Sequence, residues 1–379
     1  MTSVRVDLGP RSYEIRIAAG EGPEGFARFA ARALEATWAG RGCRSALVVT
    51  DANLEALAAP YARALADSGI GPSIAVVPSG EGSKSLARAS ELYDRLVALK
   101  GDRHTCVVAF GGGVVGDLAG FVAATYARGL PLLMIPTSLL AQVDSSVGGK
   151  VGVNHPGAKN IIGAFHQPSG VWIDPGTLAT LPARELRCGL AEVAKYGVIL
   201  DARFFASLET EAGAILDRDP GAIARVIARC CELKAEVVSK DEREETGLRA
   251  VLNFGHTAGH AIEAVAGYDG PYRHGEAVAV GMVAEARLAE ALGRSGPGVA
   301  ARIEALLARF GLPTAAPGLD AASLLDAMGR DKKNRGGRIR FVLPSEIGRV
   351  ELAEAPEAMI LETLATIVDP AHRAGSEAR

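Results

Sequence analysis

The 379-residue sequence is short of the features that mark secreted, membrane-spanning or nucleic-acid-binding chains. Its five cysteines, Cys43, Cys106, Cys188, Cys230 and Cys231, are scattered and form no CxxC, so neither a disulfide framework nor a thiolate zinc site is expected. Charge of one sign is lacking too: 41 Lys+Arg against 44 Asp+Glu leaves a net charge of −3, with no basic field to hold nucleic acid or an anionic membrane. Any anion site must therefore be local. No stretch approaches the roughly 18 apolar residues that span a bilayer, and the opening MTSVRVDLGPRSYEIRI alternates with charge throughout, unlike a leader. The expectation is a soluble protein of the reducing cytoplasm, with no membrane and no nucleic-acid partner.

What is present is an ordinary globular mix of 48% hydrophobic and 22% charged residues, which excludes disorder, collagen and coiled coil. The length suggests two to three domains, with two as the opening estimate. From residue 45 to about 135, short apolar runs (SALVVT, SIAVV, TCVVAF, LPLLMI) alternate with helical patterns at 52–67, 84–99 and 114–127. That rhythm predicts βαβ units and a parallel sheet. After a Gly-rich, charged stretch at 141–170, β-like runs nearly vanish, and residues 183–329 read as helices punctuated at 296–298 and 311–313. The boundary is placed at Thr180 to Pro182. A short β-like run, RIRFVL, follows the basic cluster DKKNRGG.

Gly111, Gly113 and Gly116 satisfy G-x-G-x-x-G after a strand-like run and before a helical one. Glycines there let helix N-terminal N–H groups approach a pyrophosphate, although tight helix-to-strand packing would ask for the same residues. The usual downstream ribose-binding acid is missing, and Asp51, at the end of SALVVT, is the candidate in its place. DSSVGGK at 144–150 fails as a Walker A loop, because Asp144 and Val151 stand where Gly and Ser or Thr are required. Lys150 and Lys159 remain as cations suited to an anion, with a solvated surface lysine as the plain alternative.

In RAVLNFGHTAGHAIE, Arg249, Asn253, His256, His260 and Glu263 follow at steps of 4, 3, 4 and 3, and would share one face of a continuous helix. Gly255 is a candidate break, so the face argument is surer from His256 onward. Two histidines at i, i+4 can chelate a divalent ion, but Thr257 replaces the glutamate of HExxH, which disfavours a zinc protease. Lys234 falls on the apolar stripe Ile223, Val226, Ile227, Cys230, Val237 and Val238, where it must snorkel or meet an anion. Glu192 and Lys195 sit three apart in the apolar CGLAEVAKYG; a helix-surface ion pair is the alternative there. His274 opens HGEAVAVGM at a candidate helix start.

Through GGGVVGDLAGF, IPTSLLAQVDSSVGGKVGVN, KNIIGAF, AEVAKYG, CCELKAEVV, DEREETGLRAVLNFGHTAGHAIE, HGEAVAVGM and DKKNRGGRIRFVLP, the chain resembles the 3-dehydroquinate synthases, sugar-phosphate cyclases of the shikimate pathway. The likeness covers nearly all of residues 45–350. It implies a Rossmann-like, NAD+-binding α/β domain at 1–181, an all-α domain for metal and substrate at 182–370, an active site in the cleft between them, a disordered tail at 371–379 and a homodimer. The implied ligands of Zn2+ or Co2+ are Glu192, His256 and His274. The implied NAD+ contacts are Asp51; Ser79, Gly80, Glu81, Gly82, Ser83 and Lys84; Gly113, Val114, Val115, Gly116 and Asp117; Thr137 and Ser138; Lys150 and Lys159; and Thr177, Leu178, Ala179 and Thr180. Asp144, Lys150, Lys195, Lys234, Arg249, Asn253 and His260 fall on catalytic positions. Lys150, Lys159, Asn160, Lys195, Lys234, Arg249, Asn253, His260 and Lys332 fall on the substrate pocket, with Arg128 reaching the phosphate across a dimer interface.

The implied substrate, 3-deoxy-D-arabino-heptulosonate 7-phosphate, carries two anionic groups, which would explain cations concentrated in a weakly acidic chain. The implied reaction is transient oxidation by NAD+, phosphate elimination, reduction, ring opening and intramolecular aldol closure. Two alternatives remain: a cyclase forming inosose or valiolone, whose substrates need no carboxylate clamp of the kind Lys234 and Arg249 supply, and a metal-dependent alcohol dehydrogenase, which releases NADH.

Overall fold

Segments that are apolar on every side become strands covered on both faces, and these lay down the sheet of the first half of the chain. The computed structural model describes residues 2–37, 42–267, 270–330 and 339–369. It opens with β1 (Thr2–Val6), β2 (Tyr13–Ile17) and α1 (Gly22–Thr37). Then come β3 (Ser45–Asp51), α2 (Glu55–Asp67), β4 (Gly71–Val77), α3 (Leu86–Ala98), β5 (Thr105–Gly111), α4 (Gly113–Thr125) and β6 (Leu132–Pro136), in the expected alternation. A hairpin of β7 (Lys150–His155) and β8 (Ala158–Phe165) precedes β9 (Gly170–Ile173). The seven-stranded sheet runs β1-β2-β9-β6-β5-β3-β4 and is antiparallel only between β1 and β2. Under it lies an aromatic core of Phe26, Phe29, Tyr61, Phe110 and Trp172.

Helices follow: α5 (Ala183–Leu200), α6 (Ala202–Leu216), α7 (Pro220–Lys240), α8 (His256–Ala266), α9 (His274–Ala291), α10 (Val299–Arg309) and α11 (Ala321–Arg330). An antiparallel hairpin of β10 (Arg340–Glu346) and β11 (Arg349–Glu354) and a last helix, α12 (Glu357–Val368), complete the described chain. No helix among the described residues is long and apolar enough to cross a membrane.

The division of the chain differs from the single boundary expected. The chain forms two compact units, Met1–Pro182 with Pro220–Glu245 and Ala183–Asp219 with Thr246–Arg379, so it changes unit three times where the sequence suggested once near 181. The extra exchange is α7, whose apolar stripe is buried against β1, β2 and their neighbours in the first unit. Periodicity reveals such a stripe but not its partner. The second unit is helical, as expected, and carries one β-hairpin, in which Arg340–Glu346 pairs with Arg349–Glu354. Lys332 and the tail at 371–379 lie outside the described residues.

Candidate active site

Three donor side chains of the second unit converge. Glu192 on α5, His256 at the start of α8 and His274 at the start of α9 each offer an atom within 4.8 Å of the other two. Glu192 Oε1 lies 3.5 Å from His256 Nε2 and 3.8 Å from His274 Nε2. Two ligands each about 2.1 Å from a tetrahedral ion sit roughly 3.4 Å apart, so these gaps need only slight contraction. Glu192 is 1% exposed, and neither of its oxygens has a hydrogen-bond partner; Lys195 lies against Oε2 as an ion pair without hydrogen-bond geometry. A buried carboxylate with unspent lone pairs is costly unless something takes them, and a divalent ion fits that demand.

Local structure explains why these residues meet. Gly255 takes φ +77°, a left-handed value that side chains avoid, and turns the chain from the short 3-10 segment Leu248–Asn253 into α8. The continuous stripe from Arg249 to Glu263 is therefore broken, and only His256, His260 and Glu263 share a helix. Buried Arg249 and half-buried Asn253 sit on the preceding turn. A Cβ on Gly275 would run into the Cys188 carbonyl, one turn before Glu192, so α9 rests directly on α5. Glu276 accepts from the Arg273 N–H (2.8 Å) and from Arg184 (2.6 and 2.7 Å), and Arg184 also donates to the Pro271 carbonyl. That clamp holds the loop carrying His274.

The histidines differ electrostatically. His256 Nδ1 is 3.1 Å from the Phe254 carbonyl, which can only accept, so Nδ1 carries the hydrogen and Nε2 keeps its lone pair. Burial, with the nearby Lys195 and the two other imidazoles, pushes its pKa well below the ordinary value. Burial acts most strongly and lowers His274, but the hydrogen bond and charge of Glu263 together with the charge of Glu192 leave its pKa raised. His260 packs edge-on to His256, with ring centroids 5.4 Å apart.

The first unit gathers another set at the C-terminal end of its strands. Asp51 accepts from the Ser79 hydroxyl (3.0 Å) and the Asn53 N–H (2.8 Å). Gly80 to Lys84 follow β4, Gly113 opens α4, Thr137 and Ser138 follow β6, and Thr177 to Thr180 form a 3-10 turn after β9. Buried Lys84 pairs with Asp117 and Asn160, while burial raises the Asp117 pKa against the pull of Lys84. A Cβ on Gly116 would meet open space, so the backbone there is approachable. Val115 and Leu178 are buried in the core, which leaves only their backbones for a ligand. Glu81, meanwhile, accepts from Asn154 of β7 (2.7 Å).

Two expected anion-binding lysines have carboxylate partners inside this unit. Lys234 donates to the Asp144 carbonyl and Oδ1, both at 2.7 Å, and Lys150 pairs with Glu244. Half-buried Lys159 lies beside exposed Asn160 on β8, and exposed Arg128 stands on a turn where Ala127 and Arg128 take φ +48° and +65°. Glu285 escaped the sequence reading: buried on α9, it accepts from Gly255 N–H (2.7 Å) and Ala258 N–H (3.3 Å), capping α8. Glycines spaced along α8 and α9 were its only sequence signal.

Family models described as 3-dehydroquinate synthase N-terminal and 3-dehydroquinate synthase C-terminal match residues 74–188 and 189–334. A 3-dehydroquinate synthase of Pelobacter propionicus is 49% identical over 348 residues, covering 92% of this chain and 94% of that protein. A solved 2-deoxy-scyllo-inosose synthase, complexed with carbaglucose-6-phosphate, NAD+ and Co2+, matches with TM-score 0.85 at 25% identity over 97% of this chain and 100% of its own. A 2-epi-5-epi-valiolone synthase of Streptomyces hygroscopicus with NAD+ and Zn2+ bound gives 0.84 at 28% identity over 98% and 99%.

Proposed function

The chain belongs to the 3-dehydroquinate synthase family, and on that premise we propose that it converts 3-deoxy-D-arabino-heptulosonate 7-phosphate to 3-dehydroquinate and phosphate. The observation that carries the reading is the buried, unsatisfied Glu192 carboxylate faced by two imidazoles in a chain 49% identical to a synthase of that name. Glu192, His256 and His274 would hold Zn2+ or Co2+. Asp51, the turn from Ser79 to Lys84, the segment Gly113 to Asp117, Thr137, Ser138 and Thr177 to Thr180 would hold NAD+. When bound, the dinucleotide supplies a reversible hydride acceptor and the ion a Lewis acid for the substrate hydroxyls.

The residues themselves bind and orient. Burial keeps His256 neutral, so its Nε2 lone pair stays available at neutral pH. Lys234 and Arg249 are the cations proposed for the substrate carboxylate. Because Lys234 is already held by Asp144, its ammonium is positioned before substrate arrives, which limits the ordering cost of binding. Lys150, Lys159, Asn160, Lys195, Asn253, His260 and Lys332 are the remaining proposed substrate contacts. Arg128 is proposed for the phosphate from the partner of a homodimer. The strained φ at Ala127 and Arg128 supports a functional turn there. The cytoplasm is the proposed compartment, consistent with five free cysteines.

The inosose- and valiolone-forming readings are less favoured, since identity to those enzymes is 25% and 28%. The test is phosphate release from the heptulosonate phosphate with NAD+ in catalytic amount. Turnover without net NADH supports the proposal. Release only from sugar phosphates lacking the acid would assign another cyclase, and accumulating NADH with an alcohol would assign a dehydrogenase.

A further inference from the structure

Beside the three proposed ligands lies a carboxylate that no proposed role has used. Glu263, on α8 one turn past His260, is 7% exposed, and its Oε2 stands 3.1 Å from His274 Nδ1. An ionised carboxylate only accepts, so Nδ1 must carry the hydrogen, and in the neutral ring that a metal ligand requires the lone pair is then on Nε2. Nε2 is the nitrogen that faces Glu192 Oε1.

His260, Glu263 and His274 also form a second grouping of donor atoms within 4.8 Å, which would compete for the ion. The two carboxylates face opposite nitrogens of the same ring. Glu192 decides between the groupings: its Oε1, buried and without a hydrogen-bond partner, faces both imidazoles while Oε2 lies against Lys195, whereas Glu263 is already engaged with the ring. An ion goes where donor lone pairs are unspent, and the other carboxylate is left to orient the shared histidine.

We infer that Glu263 is a positioning residue, which fixes the tautomer and ring orientation of His274 so that Nε2 addresses the metal. The inference rests on the metal reading above and adds to it a residue outside the ligand set. It predicts that Glu263 governs metal affinity and ligand geometry without itself touching the ion.

The test uses full-length protein stripped of metal and reloaded with Co2+, with affinity read by chelator competition and coordination by the visible cobalt absorption. Glu263→Ala should weaken cobalt binding about 10–100-fold and alter the band. Glu263→Gln keeps an acceptor of the same length but no charge, so it should lose less, about 3–10-fold, with a smaller but measurable change of the band. Wild-type affinity and an unchanged spectrum in Glu263→Ala would overturn the inference. Should that variant not fold, unchanged affinity and spectrum in Glu263→Gln would overturn it alone. A folded wild type that takes up no cobalt, with His256→Ala no different, would instead remove the metal reading itself.

Discussion

Lys234 reaches the backbone oxygen and Oδ1 of Asp144 from a helix face that is otherwise apolar, and it is 6% exposed. The sequence made its anomaly plain, since a cation on an apolar stripe needs an anion. It could not say that the first anion would be Asp144, 90 residues away, because such contacts are set by how helix and loop pack. The consequence is a double effect on substitution. Lys234→Ala should lower stability by about 1–3 kcal/mol, the cost of removing a donor from a partly buried charged pair, and should also depress turnover and raise KM. Chemical unfolding beside steady-state kinetics checks both; wild-type values in each would refute the assignment. Glu192 and its two histidines were legible by type and spacing within the resemblance. Glu263 sat in the same stripe, but only coordinates show which ring nitrogen it addresses.

Helices α8 and α9 bring His256 and His274 together because their backbones nearly touch. A Cβ on Gly281 would strike the Gly255 carbonyl, and one on Gly259 would crowd Val278. The N-terminus of α8 has no capping side chain of its own, so Glu285 from α9 supplies the acceptor and places negative charge at the positive end of the helix dipole. Glu285→Ala would leave two buried N–H groups unpaired, at a cost of about 2–4 kcal/mol. It should also weaken metal binding, since His256 begins that helix. Calorimetry with a metal titration tests this, and a variant that melts as wild type would exclude the cap. From sequence, Gly255 was a candidate break and no more. Whether a glycine ends a helix or sits in one depends on the φ that packing imposes.

At the scale of the whole chain, stability should depend on metal and on pH. A ligand that binds only the folded state at about 100 times its dissociation constant adds about 2.7 kcal/mol. Zn2+ or Co2+ should therefore raise Tm and a chelator should lower it, while a Tm indifferent to both would count against a site in this chain. His166 donates through Nε2 to the Leu130 carbonyl, and burial lowers its pKa. Its folded state favours the neutral ring, so this contribution is complete above the unfolded value of about 6.5 and fades as pH falls through the lower folded value. Between pH of about 7 and about 5, wild type should lose more stability than His166→Gln; equal losses would show that the ring does not titrate with folding.

The sequence by itself determined the alternating strands and helices of residues 45–136, the buried stripe of α7 and the chemical types gathered at the site. Those follow from local periodicity and from the cost of burying charge, both properties of neighbours along the chain. Only the tertiary structure decided that α7 joins the sheet-containing unit, that Arg340–Glu346 pairs into a hairpin, that Glu285 caps a helix not its own and that Glu263 holds His274. Each of these is a choice of partner between segments far apart in sequence. Such choices are settled by shape, close glycine contacts and the pairing of buried polar atoms, none of which a one-dimensional pattern contains.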